Sequence, residues 1–136
     1  MAALASVCAG AEIIDSRYQD FRFKAGDVVA DNASSSSFYT GPVQLAPDRL
    51  DLVHEAVLVE ADGDVIDSAT GAAVQGHPGE ALALAANVLA RPGWAIEPDW
   101  LVLTGGMTDA VPISADRAVA LHFSQLGSLY VHARET

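Results

Sequence analysis

Basic residues are scarce in this chain: Lys and Arg number 7 among 136 residues against 18 Asp and Glu, for a formal net charge of −11. A surface so poor in cations has no basic stripe with which to displace counterions from phosphates. Nucleic acid is therefore excluded as a partner, and an anionic membrane surface is disfavoured for the same reason. Cysteine is scarcer still. Cys8 stands alone, so it has no partner for an internal disulfide and nothing requires an oxidising compartment. The four histidines, His54, His77, His122 and His132, are far from Cys8 and from one another in sequence, so no Cys/His metal cluster is expected. No apolar run approaches the roughly 18 residues that a membrane-spanning helix needs. The first basic residue is Arg17, so residues 1–10 lack the charged start of a secretory signal, and a soluble, cytoplasmic protein is the expectation.

Apolar residues, by contrast, are plentiful. They make up 51% of the chain, and the mean hydropathy is +0.25, although many of them are alanines that bury little surface each. The length suits one domain over residues 1–136. An apolar share this high in so short a chain leaves a question open, and surface that a partner covers is one answer.

Residues 2–9 could form a short helix, without a cap. Residues 11–14 read as a short buried strand that carries a carboxylate, Glu12, among apolar neighbours. Tyr18, Phe21 and Phe23 follow in a segment that fits strand or loop equally, and the four serines Ser34 to Ser37 read as a flexible polar loop. The clearest local structure is a hairpin: residues 56–60 and 65–68 favour strands, and Asp62-Gly63 between them supplies positive φ at the turn. The best helix follows. Pro78 suits its first turn, Glu80 complements its dipole, and Leu82, Ala85, Ala86 and Leu89 have helical spacing until Arg91-Pro92-Gly93 ends it. Residues 100–103 read as a buried strand leading into Thr104-Gly105-Gly106-Met107-Thr108, and 117–123 and 128–132 as two more strands joined around Gln125-Leu126-Gly127. The expected class is α+β, mostly β.

Few residues invite chemistry. Glu12 on an apolar strand needs a partner or a cation, because a carboxylate is costly to bury alone. Pairing with Arg17 satisfies it structurally; serving as one ligand of a hard divalent cation satisfies it functionally. Asp62, Asp64 and Asp67 fit a solvated hairpin surface. Thr104-Gly105-Gly106 after a strand is either a tight turn or a loop whose N–H groups approach an anion. His77 before Pro78 fits a helix cap better than a general base. Ser34 and Ser35 have no base at nucleophile spacing, so hydrogen bonding to a ligand is the role open to them.

Three segments, read in order, resemble one family. Glu12-Ile13-Ile14-Asp15-Ser16-Arg17-Tyr18, the run from Asp27 through Ala30-Asp31-Asn32-Ala33-Ser34-Ser35-Ser36, and Leu103-Thr104-Gly105-Gly106-Met107-Thr108-Asp109 look like the 2-keto-4-pentenoate hydratase and 4-oxalocrotonate decarboxylase family of the fumarylacetoacetate hydrolase superfamily. Gly76-His77-Pro78 and Leu126-Gly127-Ser128 extend the likeness over nearly the whole chain. The Asp-Ser-Arg-Tyr segment with Phe21 and Phe23, the serine run and Thr-Gly-Gly-Met-Thr resemble the decarboxylases more than the hydratases.

The resemblance implies a fumarylacetoacetate hydrolase-like mixed β-sandwich roll. It also implies a cytoplasmic lyase of meta-cleavage catabolism of aromatic compounds, dependent on Mg²⁺ or Mn²⁺. Its substrate is then a small 2-oxo acid, 2-oxohex-3-enedioate, decarboxylated to 2-hydroxypenta-2,4-dienoate. Hydration of that dienoate is the alternative, and a non-catalytic remnant that keeps the fold and a subunit interface is another. By resemblance Glu12 matches one of three carboxylate metal ligands, Arg17 meets a substrate carboxylate, and Ser34, Ser35, Gly105, Gly106 and Thr108 line the pocket. A homo-oligomer or a complex with the partner hydratase is implied as well. The family's other two carboxylates, a Glu-x-Glu pair, and a catalytic lysine precede the third ligand by some distance. Only eleven residues precede Glu12 and none is acidic. The expectation is therefore the C-terminal part of a longer catalytic domain, with impaired activity on its own.

Overall fold

The computed structural model describes residues 3–115 and 117–133. Its elements run in the order β1 (Val7–Ile14), α1 (Ala25–Ala30), β2 (Ser35–Leu45), β3 (Ala56–Ala61), β4 (Asp64–Thr70), α2 (Pro78–Ala90), β5 (Ala118–Phe123) and β6 (Gly127–His132). The class is thus α+β with strands dominant. Two antiparallel assemblies form: a ribbon of β1 and β2, and a four-stranded sheet in the order β4-β3-β5-β6.

Turn chemistry sets the sheet. Asp62 and Gly63 both have positive φ, 55° and 93°, the two-residue turn whose twist matches that of the strands it joins. Asp62 also receives Ala118 N at 3.1 Å and Arg117 Nε at 3.2 Å, so the same turn seats the start of β5. The β5–β6 connection is held from below by Glu55. Its buried carboxylate accepts Gln125 N at 2.8 Å and Leu126 N at 3.3 Å.

Alternation then builds the core. Val57, Val59 and Ala61 of β3, Val119 of β5, and Leu129 and Val131 of β6 are buried at every second position, as a sheet covered on one face requires. The ribbon packs across this sheet beside β6, where Ala9 and Ala11 of β1 meet Leu126 and Leu129, with Val7, Leu45, Leu121 and Phe123 around them. Alanines at the contact let the two layers approach closely.

Helix α2 begins as its sequence suggests. His77 caps it, its Nδ1 accepting from Gly79 N at 2.8 Å, and Pro78 follows at the first position. No α2 residue is fully buried, however; Leu84 and Val88 are about half exposed, and Ala86 faces outward too. None of the described helices is long and apolar enough to cross a membrane.

Several expectations change. Of the helix expected over 2–9, residue 2 lies outside the described residues and 3–9 are not helical: β1 starts at Val7, because pairing Val7 with Leu45 and Cys8 with Gln44 gives that backbone a ladder. The serine run is not a floppy loop; Ser34 closes a 3-10 turn, Asn32–Ser34, and Ser35 to Ser37 open β2. Residues 100–103 form no strand, since no neighbouring strand supplies hydrogen bonds, and Trp100, Leu101 and Leu103 stay exposed. The segment after Arg17, left open between strand and loop, takes a 3-10 turn at Gln19–Phe21 and then α1. The apolar excess is visible as uncovered surface: Trp94 is 68% exposed, Tyr130 66% and Trp100 61%.

Glu55 yields a direct test. Replacing it with Ala strands two backbone N–H groups of the β5–β6 turn, and unfolding in urea should show a loss of about 3 kcal/mol.

Candidate functional site

Four of the candidate residues, Glu12, Arg17, Ser34 and Ser35, gather at one end of the ribbon. Ala9 and Ala11 of β1 point into the core, so Gly10 and Glu12 point to the opposite face, and Glu12 is exposed opposite Phe38 of β2. The expectation of a carboxylate set in a buried strand is therefore corrected: strand alternation puts Glu12 in water, with no burial cost to offset. Glu12 forms no ion pair with Arg17, which turns elsewhere.

Arg17 turns to Asp31. Its Nε donates to Asp31 Oδ1 at 2.5 Å, its Nη1 to the carbonyls of Ser35 at 3.1 Å and Asp15 at 3.3 Å, and its Nη2 to the Asp31 carbonyl. Asp31 Oδ2 also accepts the Ser34 hydroxyl at 2.9 Å, Arg17 N at 3.3 Å and the Ser16 hydroxyl at 3.4 Å. The Asp31 side chain is only 4% exposed whereas that of Arg17 is 52% exposed. One carboxylate thus ties the exit of β1 to the entry of β2, and Asp15 N donating to Ser34 O at 2.8 Å completes the seam.

Burial pushes the Asp31 carboxyl up in pKa. The Ser34 hydroxyl, the Arg17 hydrogen bonds and the Arg17 charge outweigh it and hold the group below the ordinary value of 3.8. The backbone beside it is unusual. Asn32, Ala33 and Ser34 have φ of 50°, 55° and 58°, three successive residues in the left-handed region that non-glycine residues seldom occupy. At about 1–2 kcal/mol each, this conformation persists only because the hydrogen bonds at Asp31 over-determine it.

Ser34 is buried and gives its proton to Asp31, so it builds the site from beneath; half-buried Ser35 contributes its carbonyl to Arg17. Between the two pinned ends, the excursion from Tyr18 to Ala30 carries Tyr18, Phe21 and Phe23 as an exposed cluster, with ring centroids 6.3 and 6.5 Å apart. Arg22 and Lys24 lie in the same stretch, so with Arg17 it holds three of the chain's 7 basic residues.

The glycine loop approaches from the other side. A β-carbon at Gly10 would stand 3.0 Å from Leu103 Cδ2, so Leu103 lies on the face of β1 that carries Glu12. Gly105, with φ of 116°, approaches Val74, and a β-carbon at Gly106 would stand 3.1 Å from Thr108 O, so this is a tight turn folded on itself. Among the described residues no hydrogen bond joins Gly105, Gly106 or Thr108 to the Arg17–Asp31 cluster. A shallow apolar hollow of about 340 Å³ beyond α2, lined by Leu89, Trp94 and Trp100 among others, contains none of the candidate residues.

A divalent cation was one expectation, and the donor set can be judged directly. Among the described residues no three His, Cys, Asp or Glu side chains are close enough together to hold a metal ion. Glu12 alone does not fit a complete Mg²⁺ site, which needs near-octahedral oxygen donors. Two residues escaped the sequence reading, Asp31 and Glu55. For Asp31 a signal existed, an acid set between the apolar 28–30 run and an Asn-Ala-Ser turn; Glu55 looks like any exposed acid before a strand.

No family model matches the chain. A 4-oxalocrotonate decarboxylase of Pseudomonas sp. (strain CF600) is 42% identical over 118 residues, 87% of this chain and 45% of that protein. A 2-keto-4-pentenoate hydratase of Burkholderia vietnamiensis is 35% identical over 129 residues, 95% of this chain and 49% of the relative. Among solved structures, 4-oxalocrotonate decarboxylase from Pseudomonas putida G7, complexed with magnesium and adipate, superposes with a TM-score of 0.86 at 41% identity, covering 92% of this chain and 47% of that one. The chain thus spans about half the length of the relatives it matches.

Acid examines the Asp31 cluster. A carboxylate held below its unfolded value contributes stability that is complete above about pH 4 and is lost as pH falls through the folded value, so Tm should drop on that acid limb. Asp31→Asn should lower Tm at neutral pH and flatten the limb. Asp51, held low chiefly by the hydrogen bond from exposed His54, should contribute little to it. Ala33→Gly should raise stability by about 1 kcal/mol, read from urea unfolding, since glycine accepts the left-handed conformation without strain. By sequence over most of its length and by the fold those residues build, the chain is similar to about half the length of 4-oxalocrotonate decarboxylases and 2-keto-4-pentenoate hydratases.

Proposed function

We propose that this chain forms the substrate-carboxylate side of a cytoplasmic lyase that decarboxylates 4-oxalocrotonate to 2-hydroxypenta-2,4-dienoate in the meta-cleavage breakdown of aromatic compounds. The observation that carries the reading is Arg17: a guanidinium half exposed to solvent yet fixed by hydrogen bonds to Asp31, Asp15 and Ser35, on the strand exit that follows Glu12. A cation held in advance suits a dianionic substrate, because little ordering remains to be done when the substrate arrives. Arg22 and Lys24 on the adjoining excursion are balanced by Asp20 and Asp27, so the charge offered to the substrate is that of Arg17 itself. The likeness to decarboxylases at 42% identity supports the reaction class.

Glu12, exposed on the same strand, is proposed as a single oxygen ligand toward Mg²⁺ or Mn²⁺. The solved relative is complexed with magnesium. The carboxylates needed beside Glu12 are absent from the described residues, so the 136-residue chain by itself should bind the ion weakly. Ser35, Gly105, Gly106 and Thr108 are proposed to line the pocket, and Ser34 to support it. The uncovered apolar faces fit a single domain whose remaining surface is covered by a further segment, by neighbouring copies in a homo-oligomer, or by the partner hydratase.

The test joins this chain to the half of the Pseudomonas putida G7 decarboxylase that it does not match. With Mg²⁺ present, the chimaera should release carbon dioxide from 4-oxalocrotonate. Arg17→Ala should lower kcat/KM by about a hundredfold, the scale of losing one charged contact to substrate. The isolated chain should show little or no turnover. Hydration of 2-hydroxypenta-2,4-dienoate without decarboxylation would replace this reading with the hydratase one, and robust turnover by the isolated chain would overturn the claim that its donor set is incomplete.

A further inference from the structure

The residue that organises the site is not one that faces solvent. Arg17 leaves β1 and Asp31 precedes β2, and their contact closes the neck of the excursion that lies between them. At that neck, Asp31 accepts from the Arg17 backbone N–H, from Arg17 Nε, and from the hydroxyls of Ser16 and Ser34, while its own carbonyl takes Arg17 Nη2 and Ser34 N. Its side chain is 4% exposed, so no substrate reaches it. An arginine whose fork is shared among Asp31, Asp15 and Ser35 has lost most of its rotamer freedom before any ligand arrives. Three successive left-handed residues immediately after Asp31 show backbone strain tolerated at the same point.

We propose that Asp31 is a positioning residue, one that latches the neck of the 17–31 excursion and sets Arg17 for a substrate carboxylate without touching substrate itself. This rests on the decarboxylase reading, in which Arg17 meets that carboxylate. Neutralising Asp31 removes the ionic anchor of Arg17 Nε and leaves the guanidinium held by backbone carbonyls alone, so its effect on ligand passes through Arg17 and disappears when Arg17 is absent. A purely structural Asp31 would instead weaken every variant alike.

Two measurements decide it. The first follows the arginine Nε–H groups by NMR in the whole chain. The Arg17 signal should exchange with solvent far more slowly than that of exposed Arg49, and Asp31→Asn should bring the two together. An Arg17 signal as labile as that of Arg49 in the unaltered protein overturns the proposal, and this outcome does not depend on any variant folding. An Arg17 signal unchanged in Asp31→Asn overturns it too. The second titrates adipate, the dicarboxylate held by the solved relative, into the chimaera described above in the presence of Mg²⁺. Asp31→Asn should weaken adipate about tenfold in the Arg17 background and leave it unchanged in an Arg17→Ala background, the non-additivity expected of one group acting through another. Equal losses in both backgrounds reject positioning in favour of a structural role. No adipate uptake by the chimaera with Asp31 and Arg17 unaltered would instead reject the decarboxylase reading, and the exchange comparison still judges the coupling of Asp31 to Arg17.

Discussion

A single buried carboxylate governs the end of the molecule where the candidate residues lie. Asp31 is nearly sealed from water, and a charge in that position survives only if its lone pairs are fully used. They are: Arg17, Ser16 and Ser34 supply the donors, and the Ser34 hydroxyl, then the Arg17 hydrogen bonds and charge, outweigh the burial that would otherwise raise the group's pKa. Everything nearby follows from that satisfaction. The exit of β1 and the entry of β2 are brought side by side, the 18–30 excursion is closed into a loop, and the strained turn at 32–34 is held in place.

The rest of the fold gives this cluster a rigid footing. The ribbon carrying Glu12 rests on the four-stranded sheet through Ala9 and Ala11, and the β5–β6 turn beneath is pinned by the buried Glu55. Two buried acids, one at each level, therefore do related work: each satisfies several N–H or O–H donors where the chain reverses direction. The helix α2 and the 91–115 segment are less constrained, and there the large apolar side chains Trp94, Trp100 and Leu101 stand in solvent. Half-length coverage of the relatives and uncovered apolar surface are consistent with one physical picture, a layer of the fold whose facing layer is not among the described residues.

What could be read from the sequence depended on whether the cause was local. The β3–β4 hairpin was legible because Asp62-Gly63 dictates its turn, and α2 because His77-Pro78 and Arg91-Pro92-Gly93 mark its ends. Residues 3–9 differ from the helix expected because alanine-rich sequence favours a helix until a partner strand offers a ladder, and Leu45 and Gln44 do so from far along the chain. The run at 100–103 has strand composition but no neighbour to pair with. Glu12 and Arg17 were recognisable through the motifs around them, whereas their separation, one in water and the other bound to Asp31, depends on which face of β1 is buried.

The sequence by itself determined the acidic balance, the absence of a disulfide, the turns and caps, and the kinship carried by short ordered motifs. All of these depend on residues a few positions apart. Only the tertiary structure decided that Arg17 pairs with Asp31 rather than Glu12, that Ser34 is buried beneath the site, and that Leu103 covers Gly10. Those contacts depend on how the ribbon docks on the sheet, and docking is set by the shapes of buried faces that meet across long stretches of chain, which no local pattern encodes.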